Sequence, residues 1–232
     1  MVTQTIATAW ATNIDMNAAK HRATKVLQQI KQYQPHTKTV LELGVGLGSV
    51  LYFFPKKYAV YGLDLSQHAL KIATKTIPNA RLFHSSMHNF RLPRTYDVIF
   101  TVNECINEVK PYKNWESTFH QVYQHLNQHG LFIFDMPTQH YLDWHKKRIV
   151  KLEKVKSGYI FDNTIVQGNK LTWDTTYFHK LKNGQYQVEH DKYSEYIYPL
   201  SKVEKSLKKY FTIVTKRYDN HKRNLLLVCR KK

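Results

Sequence analysis

Short apolar runs that alternate with helical patterns constrain the fold of this chain most strongly. Five runs have the length of buried strands and are bounded by turn residues: 39–43, 58–63, 81–84, 97–102 and 131–134. Between them lie amphipathic helices, one of which begins after Ser66, while another carries Trp115 and Phe119 on its apolar face. Strands that alternate with helices in this way pair in parallel, so the pattern predicts an α/β protein with a largely parallel sheet.

The remaining segments predict additions to this sheet. An amphipathic helix over 16–33 precedes the first strand, and two final strands, near 211–216 and 224–230, follow each other through a short turn and should pair antiparallel. From about 145 to 200 the chain is basic and aromatic, and we interpret it as an antiparallel cap inserted in one domain. The predicted boundaries are residues 1–144 for the amino-terminal helix and core, 145–200 for the cap and 201–232 for the end of the core.

The pair Asn183-Gly184 predicts how the cap strands align. A two-residue type I′ turn would place residue i opposite residue 367 − i. In that register the acidic residues Glu189, Asp191 and Glu195 face water. The inner, aromatic face would then carry Leu171, Trp173, Tyr177, His179, Val188, His190, Ser194 and Tyr196.

Composition limits the function classes. The 232 residues include 35 Lys and Arg but only 17 Asp and Glu, which gives a net charge of +18, and residues 144–232 alone carry +13. No apolar run is long enough to span a membrane, and the first lysine is Lys20, so neither a span nor a secretory leader is expected. Two distant cysteines and scattered histidines indicate no disulfide framework and no metal site, and favour a reducing, cytoplasmic setting.

The segment from Val40 to Gly48 carries the clearest chemical signal. A buried strand turns through Gly44, Gly46 and Gly48 into a helical region, and glycine allows a backbone to approach a ligand closely. Asp64 ends the next strand, 20 positions after Gly44, where a carboxylate can accept both hydroxyls of a ribose. A cofactor that contains a nucleoside is therefore predicted. The spacing E-x-G-x-G-x-G differs from the G-x-G-x-x-G of dinucleotide-binding folds.

This motif resembles the first motif of class I S-adenosylmethionine-dependent methyltransferases. The resemblance extends from about residue 38 to the end of the chain, and it implies a Rossmann-like seven-stranded methyltransferase sheet. Glu189-His190 followed by Tyr198-Pro199 is similar to the cap of sugar N-methyltransferase-like relatives. The resemblance implies S-adenosylmethionine as cofactor and S-adenosylhomocysteine as product. It also implies the cofactor-binding residues Glu42, Gly44, Gly46, Gly48, Asp64 for the ribose, and Leu65, Ser86 and Met87 around the adenine. Asn103 is added to this set because it follows the fourth strand, whose end should open towards the cofactor.

Acceptor chemistry is expected where the fourth strand ends. Glu104 is a predicted catalytic residue there, and Asn107 a predicted substrate contact. On the cap, His190 is a second catalytic candidate because a neutral imidazole can accept a proton near pH 7. Trp173 and Tyr177 would contact the acceptor. Tyr61 and Trp10 are weaker candidates for lining the site.

These observations predict a methyltransferase that acts on N or O of a small molecule, including an anionic one. The first alternative is an RNA-modifying methyltransferase, because basic residues interleaved with aromatic ones suit phosphate contact and base stacking. The second alternative is a cofactor-binding protein without catalysis.

Overall fold

The computed structural model describes residues 14–147 and 150–232. The expectations about a secretory leader and about Trp10 concern residues 1–13 and lie outside the described residues. Elsewhere the predicted alternation of strands and helices is present, and most strand ends lie within one residue of the prediction. The largest difference is the fifth strand, which extends well beyond its apolar run.

Seven strands form the central sheet: β1 (Thr39–Leu43), β2 (Ala59–Asp64), β3 (Arg81–His84), β4 (Tyr96–Thr101), β5 (Leu126–Pro137), β10 (Phe211–Tyr218) and β11 (Asn224–Lys231). Their order across the sheet is β10-β11-β5-β4-β1-β2-β3. Strands β1 to β5 are parallel, whereas β11 runs antiparallel to both of its neighbours, β5 and β10. The predicted Rossmann-like seven-stranded sheet is therefore confirmed.

The described helices cover both faces of this sheet. They are α1 (Met16–Tyr33), α2 (Gln67–Thr76), α3 (Tyr112–His125), α4 (Gln139–His145) and α5 (Leu200–Leu207), with 3₁₀ turns at Leu51–Phe53 and Cys105–Glu108. Asp15 caps α1 by accepting a hydrogen bond from the Ala18 N–H at 2.9 Å, and Ser66 caps α2 through the Ala69 N–H at 3.2 Å. Both caps agree with the sequence.

Alternation along β5 divides the core into two layers. Phe132 and Phe134 point to the layer covered by α3 and α5, whereas Ile133 points to the layer covered by α1 and α2. All three side chains are fully buried. Because both faces are covered, the residues free to meet a ligand are those at the carboxyl ends of the parallel strands.

A second sheet stands beside the first and contains the predicted cap. It consists of β6 (Val150–Val155), β7 (Gly158–Gln167), β8 (Lys170–Lys180) and β9 (Tyr186–Tyr196), paired antiparallel in that order. Residue Lys170 lies opposite Tyr196 and Lys180 opposite Tyr186, so each residue i of β8 faces residue 366 − i of β9. The predicted register is wrong by one residue.

The turn between β8 and β9 explains the error. The Gly184 N–H donates to the Leu181 carbonyl at 3.0 Å, and the Leu181 N–H donates to the Gln185 carbonyl at 2.8 Å, so residues 182–184 form a three-residue loop. Gly184 has a φ of +86°, and Asn183 is not among the residues with positive φ, as a type I′ turn would require. Asn-Gly fits either turn, but the extra residue reverses every side chain of β9.

Candidate active site

The glycine loop lies at the carboxyl end of β1. Gly44, Gly46 and Gly48 have φ values of +73°, +52° and +81°. At Gly44 there is also no room for a side chain, because a Cβ would lie 2.2 Å from the Cys105 Sγ. The Gly44 and Val45 N–H groups donate to the Leu63 carbonyl, which fastens the loop to the end of β2. The sequence therefore uses glycine here for both conformation and space.

Asp64 fixes the same loop from the end of β2. Its Oδ2 accepts a hydrogen bond from the Gly46 N–H and its Oδ1 from the Ser66 N–H, both at 2.8 Å. These bonds hold the carboxylate at the wall of the cavity beside the loop. Each oxygen retains lone pairs for a further donor, so the group remains able to accept hydroxyls.

Glu42 is the most unusual group at this end of the sheet. It is only 3% exposed, and its Oε2 has no hydrogen-bond partner. Burial and the neighbouring Asp64 carboxylate raise the pKa of Glu42 well above its ordinary value. A buried carboxyl with an unpartnered oxygen on a cavity wall is suited to bind a ligand donor, above all an ammonium group.

A cavity of about 540 Å³ opens at this point. Most of the predicted cofactor-binding residues line it, namely Glu42, Gly44, Gly46, Asp64, Leu65, Ser86, Met87 and Asn103. Gly48 does not line the cavity. A Cβ added at this position would lie 2.9 Å from the Ile77 side chain, so glycine is required here for the packing of the loop. Leu65 is 54% exposed, which is unusual for a leucine and fits an apolar wall for a flat ring.

The cavity is also lined by several residues that no sequence motif predicted, including Arg22, His88, Glu108 and Lys110. His88 accepts or donates a hydrogen bond with the Ser86 Oγ at 2.6 Å, so the two side chains act as one polar group. Glu108 ends the 3₁₀ turn after β4 and brings a carboxylate to the cavity. No motif identified it, because the turn follows from packing and not from a sequence signature.

Glu104 lies in a constrained backbone turn. Asn103 and Glu104 both have left-handed conformations, with φ of +64° and +60°. The Asp135 carboxylate at the end of β5 accepts hydrogen bonds from both N–H groups, at 3.1 and 2.8 Å, and so stabilises the turn. The Glu104 Oε1 accepts a bond from Asn224 at 2.9 Å. This carboxylate lines a second, smaller cavity of about 240 Å³, and Arg22 lines both cavities.

The pKa of Glu104 is raised to about 7, first by burial and then by the Asp135 carboxylate, while the bond from Asn224 opposes the shift. Glu104 therefore exchanges a proton near neutral pH. Its predicted catalytic role is consistent with this property, but it remains a prediction.

The predicted substrate residues have other contacts. Asn107 is fully buried, and its Nδ2 donates to the Tyr196 carbonyl at 2.9 Å, which joins the 3₁₀ turn to β9. The Tyr177 hydroxyl is bonded to Ser157 and to His179, within the cap. The Trp173 indole donates to Glu195 at 2.9 Å. None of the three lines either of the cavities described above, and Tyr61 is buried in the core.

The predicted position of His190 is wrong. The one-residue shift in register places it on the outer face of the cap, where its side chain is 59% exposed. Its Nε2 lies 3.1 Å from Asp174 and its Nδ1 3.2 Å from Thr176, both on that same face. The inner face instead carries Asp191, Tyr193 and Glu195 beside Trp173 and Tyr177. The acidic residues expected in water therefore lie inside.

Metal and membrane features are lacking in the part of the chain that the structure describes. Across residues 14–147 and 150–232, no three His, Cys, Asp or Glu side chains are grouped so that they could hold a metal ion. Within the same ranges, no helix has both the length and the apolar character that crossing a bilayer demands.

The seven-stranded sheet and the glycine-lined cavity at its carboxyl edge agree with the predicted resemblance to class I S-adenosylmethionine-dependent methyltransferases, and the comparisons below confirm that resemblance. The model of a methyltransferase domain family matches residues 40–130. These residues contain the glycine loop, Asp64 and the turn after β4.

One curated relative and two solved structures illustrate the similarity. A dTDP-3-amino-3,4,6-trideoxy-α-D-glucopyranose N,N-dimethyltransferase from Streptomyces venezuelae is 24% identical over 114 residues, 49% of this chain and 48% of that protein. The chain thus aligns with about half the length of this curated relative. The structure of DesVI, also from Streptomyces venezuelae, has a TM-score of 0.83 at 14% identity over all of both chains. CalS10 from Micromonospora echinaspora, described as a SAM-bound amino pentose methyltransferase, has a TM-score of 0.80 at 16% identity over 100% and 98% of the two chains.

Proposed function

We propose that the chain is an S-adenosylmethionine-dependent methyltransferase that methylates an amino nitrogen of a small molecule, with an amino sugar as the favoured acceptor. The observation that carries this proposal is the cavity in which Glu42, with its unpartnered buried oxygen, and Asp64, bonded to the glycine loop, lie together. Support for the acceptor class comes from the relatives, two of which are named for amino sugar methylation.

The residues of the cavity fit this cofactor. The unpartnered Oε2 of Glu42 would accept the methionyl ammonium group, and Asp64 would accept the ribose hydroxyls. Leu65, Met87 and the Ser86-His88 pair would surround the adenine. When bound, S-adenosylmethionine supplies an electrophilic methyl group for transfer to the acceptor.

The protein's own contribution would be to orient the acceptor and to remove its proton. An amine must be neutral to act as a nucleophile, so a nearby carboxylate with a raised pKa assists the reaction. Two carboxylates are candidates: Glu108, whose pKa is raised by burial and by Asp64, lines the cofactor cavity, and Glu104, whose pKa is about 7, lines the second cavity beside it. These carboxylates favour nitrogen over a hydroxyl oxygen, whose much higher pKa they could not match.

No observation on residues 14–147 and 150–232 favours the RNA-modifying or the non-catalytic alternative. The expected cytoplasmic location is kept as part of the proposal, because Cys105 and Cys229 are both free thiols.

The test is methyl transfer from tritium-labelled S-adenosylmethionine by the purified full chain. The acceptors are dTDP-3-amino-3,4,6-trideoxy-α-D-glucopyranose, its 3-hydroxy counterpart and bulk tRNA. We expect label in the amino sugar alone, with a rate at least tenfold lower for Asp64→Ala at limiting cofactor. Equal labelling of the hydroxyl compound would overturn the proposed atom, and preferential labelling of tRNA would overturn the proposed acceptor class.

A further inference from the structure

The inner face of the cap meets the 3₁₀ turn after β4. Strand β9 packs against this turn, and the bond from Asn107 to the Tyr196 carbonyl fixes the contact. Because alternate residues of a strand face the same side, Asp191, Tyr193 and Glu195 all face inward from β9. The turn contributes Glu104 and Glu108, whose charges both act on Glu195, and Asp191 in turn acts on Glu108. A protein with a net charge of +18 therefore concentrates carboxylates at one interior location.

The two cap carboxylates lack full hydrogen bonding. Asp191 and Glu195 are only 7% and 6% exposed. The Glu195 Oε1 accepts the Trp173 indole N–H, but its Oε2 has no partner, and neither has the Asp191 Oδ2. Independently of these carboxylates, the fully buried Asn107 has an Oδ1 without a partner. All three unpartnered atoms are hydrogen-bond acceptors, so a ligand bound in this region should supply hydrogen-bond donors.

The described residues pair no cation with these carboxylates. Among the ion pairs formed within residues 14–147 and 150–232, none includes Glu104, Glu108, Asp191 or Glu195. Arg22 acts on Glu104 from a distance without forming an ion pair with it. Burial and the Glu104 carboxylate raise the pKa of Glu195 to about 8. Burying several unpaired carboxylates close together is electrostatically unfavourable, and a bound cation would offset this free-energy penalty.

Aromatic rings lie beside these carboxylates. The Trp173 ring is stacked on Tyr193 with centroids 6.1 Å apart, and His145 packs edge-on against Trp173 at 5.1 Å. Burial lowers the pKa of His145 to about 4, so it carries no charge at neutral pH. Aromatic faces beside carboxylates are the combination that binds organic ammonium groups. A metal ion is a poorer fit, because the described residues offer no ligand group of three.

We propose that Asp191 and Glu195 of the cap, with Glu104 and Glu108 of the turn, form a cation seat that binds the acceptor through its protonated amine. This inference rests on the proposed function, since the seat adjoins the cofactor cavity that Glu108 also lines. It adds that acceptors are selected by positive charge at the reacting group, so acceptors whose reacting group is neutral or anionic are excluded from the seat.

The test uses ethylammonium chloride as the probe and the full chain, with and without S-adenosylhomocysteine. The readout is the Trp173 indole N–H resonance in a ¹⁵N-labelled sample, assigned through Trp173→Phe. We expect a saturable shift with ethylammonium and none with ethanol or acetate. Glu195→Gln and Asp191→Asn should each weaken the apparent affinity at least tenfold, whereas Asp174→Asn, the matched carboxylate on the outer face, should not change it.

The outcomes separate this inference from the proposed function. Binding of S-adenosylhomocysteine with no ethylammonium response, or a response to acetate instead, would overturn the cation seat and leave the cofactor site intact. An ethylammonium response that survives both Glu195→Gln and Asp191→Asn would also overturn it. A chain that binds ethylammonium at Trp173 but never binds S-adenosylhomocysteine would retain the seat and refute the proposed function.

Discussion

Replacing Glu195 with glutamine should stabilise the protein at alkaline pH. The pKa of Glu195 is about 8 in the folded chain, against an ordinary value of 4.5, because burial and the Glu104 carboxylate disfavour its charge. Folding therefore retains a proton that the unfolded chain releases, and the associated stability is complete below about pH 4.5 and is lost as the pH rises through 8. At 1.36 kcal/mol per pKa unit, the shift corresponds to at most about 5 kcal/mol.

The expected gain in the free energy of unfolding is smaller than this value, because part of the raised pKa of Glu195 depends on the charge of Glu104. We expect Glu195→Gln to raise the free energy of unfolding by about 2–4 kcal/mol at pH 9 and by less than about 1 kcal/mol at pH 5. Glutamine keeps an acceptor for the Trp173 indole, so the bond of 2.9 Å can persist. Urea denaturation at both pH values measures the difference.

The matched control is Glu153→Gln, since Glu153 is a glutamate with a 49% exposed side chain on β6. Its ion pair with Lys151 is at the surface, so the substitution should change stability by less than about 1 kcal/mol at either pH. A gain for Glu195→Gln that is the same at pH 5 and pH 9, or a loss at pH 9, would refute the argument from buried charge.

Three further predictions follow from the loop, the cap and the surface charge. Gly44→Ala should abolish measurable S-adenosylhomocysteine binding in calorimetry, because the new Cβ would lie 2.2 Å from the Cys105 Sγ at a φ of +73°; wild-type affinity would contradict the fit of the loop. His190→Ala should leave the rate of methyl transfer within about twofold of wild type, since its side chain is on the outer face, and a tenfold loss would contradict that placement. RNA retention on the basic surface should be weak and lost at physiological salt in filter binding, whereas a tight, structure-selective complex would promote the RNA alternative.

The core was predictable because its signals are local. The glycine loop followed by Asp64 indicated the cofactor site, and the apolar runs indicated the sheet, since a buried parallel strand is apolar on both sides. Most residues predicted for the cofactor do line the cavity, where the carboxyl ends of adjacent strands bring them together. Gly48 is the exception, because it does not line the cavity and a Cβ at its position would lie 2.9 Å from Ile77.

The cap was not predictable to the same degree, because its alignment depends on one turn. Asn183-Gly184 is compatible with a two-residue and a three-residue loop, and the sequence contains no second signal that selects between them. The difference of one residue exchanges His190 for Asp191 and Glu195 on the inner face. Glu108 was missed for a related reason: its approach to the cavity depends on packing between the 3₁₀ turn and β9, which no local pattern encodes.

Calorimetric titration of the full chain with S-adenosylhomocysteine tests the central claim most directly. We predict micromolar affinity, about −7 to −8 kcal/mol, and a loss of about 1–3 kcal/mol in Asp64→Ala through the ribose hydrogen bonds. His190→Ala, on the outer face, serves as the control and should bind like wild type. No binding of S-adenosylhomocysteine, together with saturable binding of NADH, would contradict the assignment of the cavity to a methyltransferase cofactor.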